Sequence, residues 1–318
     1  MATTTSLAPH TPTGAGFQNP NFPNPHGPHD ARVIIYGYTP SFVLCILAIV
    51  FFAISFAVHL LQLGLYKVWF FVPLTLACFL ETVGYIFRSL SSKNDPYHVI
   101  WFVVQYFMIV VAPVFISASI YVTLNRLIAW AKSVGYGLHQ WWLAPRIILW
   151  GFVAIDVLTT IMQIAGAALV GSSESNMNDP TTGNNILLAG LAIQSLSFTV
   201  FLAVLTLFRL ALAQASAGKS AVRAKDQFIS AVALASVLIY LRTVFRLAET
   251  GQGLFGSIST NETFFGTLEF APVVLAIWIL AIWHPGRWLP RLKEEYPVDD
   301  STERVRTGSD IEKPPSSA

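Results

Sequence analysis

Ser41-Phe-Val-Leu-Cys-Ile-Leu-Ala-Ile-Val-Phe-Phe-Ala-Ile-Ser-Phe-Ala-Val-His-Leu-Leu-Gln-Leu63 contains no acid, lysine or arginine from end to end. At a rise of about 1.5 Å per residue, a helix of this length covers the hydrocarbon thickness of a bilayer, about 30 Å. Comparable apolar runs follow near residues 67–90, 98–124, 145–170, 185–209, 227–249 and 262–284. Helix breakers separate them: Asn94-Asp-Pro96, Gly135-Tyr-Gly137, Asn178-Asp-Pro-Thr-Thr-Gly183, Ala217-Gly218 and the glycine-rich 251–256, with His284-Pro-Gly286 closing the last. The pattern predicts an all-α membrane protein, a bundle of seven transmembrane helices.

Composition agrees. The 318 residues are 54% hydrophobic and only 11% charged, against about 25% charged in soluble domains. A soluble core could not hide that much apolar surface. A net charge of +2 excludes a broad nucleic-acid footprint. Cys45 and Cys78 both lie inside apolar runs, so neither can staple an exposed loop.

Residues 1–35 are rich in Pro, Asn, Gly and Thr and are expected to form a disordered extracellular tail. They lack the basic start and apolar stretch of a signal peptide, so the first span is expected to act as the targeting signal. A seven-span domain over 36–286 and a disordered cytoplasmic tail over 287–318 complete the division. Orientation follows from the basic residues. With the amino terminus outside, the inner face collects Lys67, Arg126, Lys132, Arg146, Arg209, Lys219, Arg223, Lys225 and the carboxyl-terminal Arg287, Arg291, Lys293, Arg304, Arg306 and Lys313. Only Arg32 and Lys93 then fall outside. That asymmetry predicts an outer amino terminus and a cytoplasmic carboxyl terminus. Arg209, Lys219, Arg223 and Lys225 are expected to attract anionic lipids of the cytoplasmic leaflet, at about 1 kcal/mol each near the surface. Asn261-Glu-Thr263 is a glycosylation sequon on the predicted outer side, directly abutting the last helix.

The informative residues are the ionisable ones within the spans. A charge at mid-helix costs about 2.5–3.5 kcal/mol on insertion scales and requires a partner or a wet cavity. Helix 2 carries Glu81, Tyr85 and Arg88 on one face, helix 3 Gln105, helix 4 Asp156 and Gln163, helix 5 Gln194, helix 6 Arg242, Arg246 and Glu249, and helix 7 Glu269. Depths assigned from the topology put nearly all of these in the outer half of the bundle, with Asp156 deepest, which suggests a cavity opening outward. Each residue taken singly is as well explained by interhelical packing. Taken together, four acids (Glu81, Asp156, Glu249, Glu269) against three arginines sum to −1. That suits a zwitterionic or cationic amphiphile with its tail among apolar helices. Arg242 and Arg246 share a face and need an anion nearby. Asp156 has no basic residue on its own helix and is the natural proton carrier if movement is proton-coupled, with Gln163 and Glu269 lining the route.

Glu81-Thr-Val leads to Arg88, and Arg242-Thr-Val leads to Glu249, with signs exchanged at the same spacing. This predicts that Glu81 and Arg88 face Arg242 and Glu249 across a helix 2–helix 6 contact. Each stretch precedes a helix with an Ala-Pro pair, Ala112-Pro113 or Ala271-Pro272. Helices 1–3 and 5–7 thus form a 3+1+3 repeat, unless the match is coincidence in a limited apolar alphabet.

Other chemistries fit poorly. Gly251-Gln-Gly-Leu-Phe-Gly256 matches G-x-G-x-x-G but follows a membrane helix, so a helix end and turn are expected rather than a dinucleotide site. No Walker-type phosphate loop is present, and the histidines lack the convergence a zinc site needs, with only His59 well within a span. No lysine sits deep in a helix to hold retinal. Neither cofactor, metal nor enzymatic activity is expected. A seven-helix receptor has the right topology but lacks the usual motifs, with Leu124-Asn-Arg126 ending helix 3 and no Asn-Pro-x-x-Tyr in helix 7.

The combination of Tyr36-Gly-Tyr38-x-Pro40, Glu81-x-x-Gly84-Tyr85-x-x-Arg88, Gln105, Ala112-Pro113, Tyr121, Arg126, Asp156 with Gln163 and Gly166, Gly190-Leu191 with Gln194, Arg242-x-x-x-Arg246-x-x-Glu249, Glu262, Glu269-x-x-Pro272 and His284-Pro285 resembles the fungal RTA-like lipid-translocating exporters. That family includes aminocholesterol-resistance and sphingoid-base-export proteins. Glu269 departs from it, since Asp is more usual there. The resemblance covers residues 36–286. It implies seven helices, residence in the plasma membrane or an internal membrane such as the vacuole or endoplasmic reticulum, and a role in lipid movement and membrane-stress or drug resistance. Its ligands would be membrane lipids or other amphiphilic small molecules. A seven-helix lipid sensor without transport is the alternative. The sequence leaves the oligomeric state open.

Overall fold

A computed structural model describes residues 19, 21–22, 27, 30–31, 34–134, 145–175, 178–215, 220–253 and 256–289. Seven helical spans run through them: α1 (Phe42–Tyr66), α2 (Val72–Lys93), α3 (Val99–Ser133), α4 (Pro145–Ser175), α5 (Thr181–Ala215), α6 (Ser220–Gly251) and a seventh made of three parts. The seventh starts as α7 (Glu262–Phe264), widens into a π-helical stretch (Phe265–Phe270) and resumes as α8 (Ala271–Ile282), with the short α9 (Pro285–Trp288) behind it. All seven spans are long and apolar enough to cross a membrane. The protein is an integral, multi-pass membrane protein.

Local chemistry sets the ends. The Ser41 hydroxyl accepts from the Leu44 N–H at the start of α1, and Lys67 closes that helix in the left-handed conformation (φ 52°). Pro73 opens α2, where its missing N–H would be unpaired anyway. The Asn261 side chain accepts from Thr263 N–H and caps α7. At Gly251–Gly253 the chain makes the helix end and turn expected from sequence: Gly251 ends α6, and Gly253 sits at φ 79°. Several helices run past the apolar core of their span. α3 continues to Ser133, where a window of hydropathy stops near 124, because Arg126, Trp130 and Lys132 suit the boundary region beyond the hydrocarbon.

Each helix packs on its neighbours in chain order, α8 returns to α1, and α3 also touches α6 across the middle. α2 and α6 make no extended contact. At the crossing of α4 on α5 the backbones approach closely. A Cβ on Gly166 would lie 2.6 Å from Leu187 N, and one on Gly183 2.7 Å from Val170 N, so the two backbones touch where side chains are absent. Aromatic rings fill the interior, including Tyr121 edge-on to Phe201 at 4.6 Å. The outer surface is inverted relative to a soluble protein, with Leu65 73%, Leu61 67% and Leu196 66% exposed toward the lipid position.

A small second core covers one end of the bundle. Ile34, Tyr36 and Tyr97 are buried there with Phe22, Tyr38 and Phe102 around them. Ala31 N–H donates to Tyr97 O, Asn19 Nδ2 donates to Thr39 Oγ1, and the backbones of Asp30 and His98 form an isolated antiparallel β-bridge. Composition alone predicted no packed element before residue 36, yet these residues are held, because Tyr97 and Phe102 give them an apolar seat. Of the tail expected over 287–318, Arg287 and Trp288 belong to α9, and the residues after 289 lie outside the described residues.

Candidate functional site

Under this second core lies a cavity with about 130 Å³ of space for water centres. A water needs only about 10–15 Å³ by that measure, so the space admits a small headgroup or several waters. Its polar lining includes Tyr36 and Tyr38 of the amino-terminal segment, Arg88 of α2, Gln105 and Tyr106 of α3, and Arg246 and Glu249 of α6, with the neutral Asn184, Thr250 and Ser259 beside them. Beside it an apolar groove of about 320 Å³ runs between α3 and α4, among Val103, Phe107, Ile164, Ala168 and Ser172. The two share Ile35, Phe102, Tyr106, Ala167 and Gly171. Val103 and Phe107 are exposed on the membrane-facing side, so the groove meets lipid laterally.

Of the residues singled out by sequence, Arg88, Gln105, Arg246 and Glu249 line the cavity. Arg246 Nη1 holds Glu249 Oε2 at 2.6 Å one turn along α6 and lies over the Tyr106 ring at 5.2 Å. The Arg88 guanidinium donates to the Tyr38 hydroxyl at 2.6 Å and sits over the Phe265 ring at 4.0 Å. Burial pushes the Tyr36 phenol up to about 12 and moves Tyr38 upward as well, despite the nearby Arg88 charge. Both tyrosines therefore stay neutral.

The other candidates lie elsewhere. Arg242 donates through Nε and Nη2 to Glu269 Oε1 at 2.9 and 2.5 Å, and to the Ile109 carbonyl at 3.2 Å. Both side chains are essentially sealed, at 3% and 1% exposed. Glu81 is buried beside them and feels both charges. Tyr85 stacks on Phe52 at 5.5 Å. Asp156 Oδ2 accepts from the Tyr121 hydroxyl at 2.8 Å, and Gln163 Nε2 donates to Gln194 Oε1 at 2.7 Å between α4 and α5.

Two expectations change accordingly. Glu81 and Arg88 do not form a four-residue pairing with Arg242 and Glu249. Arg242 finds its carboxylate on the seventh span, Glu249 serves Arg246, and Arg88 turns to tyrosines and a phenylalanine ring. The anion needed by two arginines on one face is supplied twice by the protein itself. The cavity therefore does not carry the −1 of the whole cluster, since Glu81, Asp156 and Glu269 do not line it. Glu269 lies within the π-helical stretch. Pro272 lacks an N–H and crowds the preceding turn, and the wider winding, with Ala271 N–H bonded to Gly266 O, takes up the misfit.

At the opposite end, Arg209 pairs with Asp226 at 3.3 Å and Lys225 lies over Trp130 at 3.9 Å, while Lys219 is outside the described residues. His59 and His284 lie with ring centroids 6.3 Å apart, but no group of three metal-ligating side chains occurs among the described residues. Sequence reasoning missed Tyr36, Tyr38 and Tyr106 as lining groups. The signal for the first two was the Tyr36-Gly-Tyr38 turn, where Gly37 takes φ 73° and lets both rings turn toward the bundle.

The family model described as RTA1 like protein matches residues 74–292. The chain belongs to the RTA1-like family. Among its relatives, the sphingoid long-chain base transporter RSB1 of Saccharomyces cerevisiae (strain Lalvin EC1118 / Prise de mousse) is 29% identical over 285 residues, covering 79% of this chain and 73% of the relative. Protein RTM1 of Saccharomyces cerevisiae is 31% identical, over 65% of this chain and 64% of its own length. Protoporphyrin uptake protein 1 of Saccharomyces cerevisiae (strain ATCC 204508 / S288c) is 31% identical, over 65% of this chain and 66% of its own. These names support a lipid-related transport role within the RTA1-like family. No solved structure matches the chain.

Proposed function

We propose that this RTA1-like protein moves long-chain amphiphiles across its membrane, with the amino-terminal segment on the extracellular side. The observation that carries the reading is the pairing of a charged cavity with an apolar, lipid-facing groove through five shared lining residues. A headgroup would occupy the space among Arg88, Gln105, Tyr106, Arg246 and Glu249, while its chain lies between α3 and α4. An amphiphile must lose lipid contact at its tail and water at its head in order to cross. A wall that is polar in one part and apolar in the adjoining part lowers both costs. The names of the relatives, one a sphingoid long-chain base transporter and another an uptake protein, favour movement over sensing. Removal of toxic lipophiles, and so membrane-stress resistance, would follow from such movement.

The test is reconstitution. Purified protein in liposomes is given, in separate runs, chain-labelled long-chain amphiphiles with anionic, zwitterionic and cationic headgroups in the outer leaflet, and loss of label to an impermeant quencher is followed. Faster inward or outward exchange than in protein-free liposomes supports the proposal. Tight binding without exchange places the protein with lipid sensors instead.

A further inference from the structure

Three arginines stand in the polar part of this bundle, and two of them hold a carboxylate, Arg242 on Glu269 and Arg246 on Glu249. Arg88 is 2% exposed and has no ion pair among the described residues. Its hydrogen-bond acceptor is the Tyr38 hydroxyl, which is neutral near pH 7. The Phe265, Tyr36 and Tyr38 rings lie 4.0, 5.2 and 5.8 Å from its guanidinium carbon and soften the isolation of the charge. They do not neutralise it. Arg88 Nε has no hydrogen-bond partner. A guanidinium buried in this way is normally met by an oxyanion, which its planar edge binds with two parallel hydrogen bonds.

The cavity lining agrees. Among the described lining residues the formal charges are Arg88, Arg246 and Glu249, which sum to +1. Glu249 is already engaged by Arg246, and Glu262, at the neighbouring end of the seventh span, accepts from Ser41 N–H at 2.7 Å. A bare ammonium entering the cavity would meet two guanidinium groups and no unengaged carboxylate among the lining residues. Tyr38, while accepting from Arg88, keeps its own phenolic proton to donate.

We infer that the cavity selects amphiphiles whose headgroup carries an anionic oxygen group, a phosphate or a carboxylate, and that Arg88 receives it. This rests on the amphiphile reading above and narrows it to one charge class. A zwitterionic headgroup is accepted through its anionic part; a purely cationic one is disfavoured.

The experiment uses the full-length protein in nanodiscs of uncharged phosphatidylcholine, with octadecyl phosphate, octadecanoate, octadecylamine and octadecanol competing for one labelled amphiphile. In the unaltered protein the phosphate and the carboxylate should compete at least about tenfold more strongly than the amine. Arg88→Gln should remove that preference, bringing the phosphate and the carboxylate down to the level of octadecanol measured in the same variant, and Arg88→Lys should keep part of it. Thermal unfolding of each variant reports folding. Should Arg88→Gln fail to fold, the headgroup ranking in the unaltered protein decides alone. An amine that competes as well as the phosphate overturns the inference and leaves the amphiphile reading standing, as does a folded Arg88→Gln protein with its phosphate preference intact. No competition by any of the four probes defeats the amphiphile reading itself.

Discussion

Asp156 and Glu269 are both buried carboxylates with one oxygen lacking a hydrogen-bond partner, but their surroundings differ. Asp156 is tied to the Tyr121 hydroxyl and does not line the cavity. We therefore expect Asp156→Asn, which still accepts from Tyr121, to fold and to move lipid with unchanged pH dependence. Lost transport at normal protein levels would restore the proton-carrier role that its depth suggested. Glu269 instead balances Arg242 in a sealed environment. Glu269→Ala should destabilise by about 3–5 kcal/mol, because a charge is left buried alone. Thermal unfolding in detergent measures this, and the double replacement Arg242→Met/Glu269→Leu should recover much of the loss. The types and spacing of these residues were legible in the sequence. Their partners were not, since helical periodicity reports which side chains share a face and says nothing about which helix stands opposite. Arg242 could be matched with Glu81 or Glu269 equally well until α6 was seen against α8.

At the scale of elements, the seven spans were readable because each apolar run outlasts the hydrocarbon thickness. Their true ends were not, because Arg126, Lys132 and similar residues extend a helix where hydropathy has already fallen. The buried seats of Ala31 and Ile34 were not readable for the opposite reason: they depend on the distant Tyr97 and Phe102. Glycines separate the close α4–α5 crossing from the open groove. Gly166→Leu or Gly183→Leu should force the helices apart and lower the unfolding temperature. Gly171→Phe should not, since an added Cβ there meets nothing within 4 Å. Equal losses in all three variants would contradict this division of the α4 surface.

For the molecule as a whole, the polar groups form two systems with separate tasks. Sealed pairs such as Arg242–Glu269 and Tyr121–Asp156 join α6 to the seventh span and α3 to α4. The polar cavity at one end adjoins the α3–α4 groove through shared lining residues. On this account the route of an amphiphile passes Gly171, which lines both spaces. The decisive measurement is exchange of a chain-labelled long-chain amphiphile in proteoliposomes containing either the unaltered protein or Gly171→Phe, with folding matched by thermal unfolding. The unaltered protein should accelerate exchange, and Gly171→Phe should fall to the rate of protein-free liposomes. Exchange by Gly171→Phe at the unaltered rate would show that the route lies elsewhere.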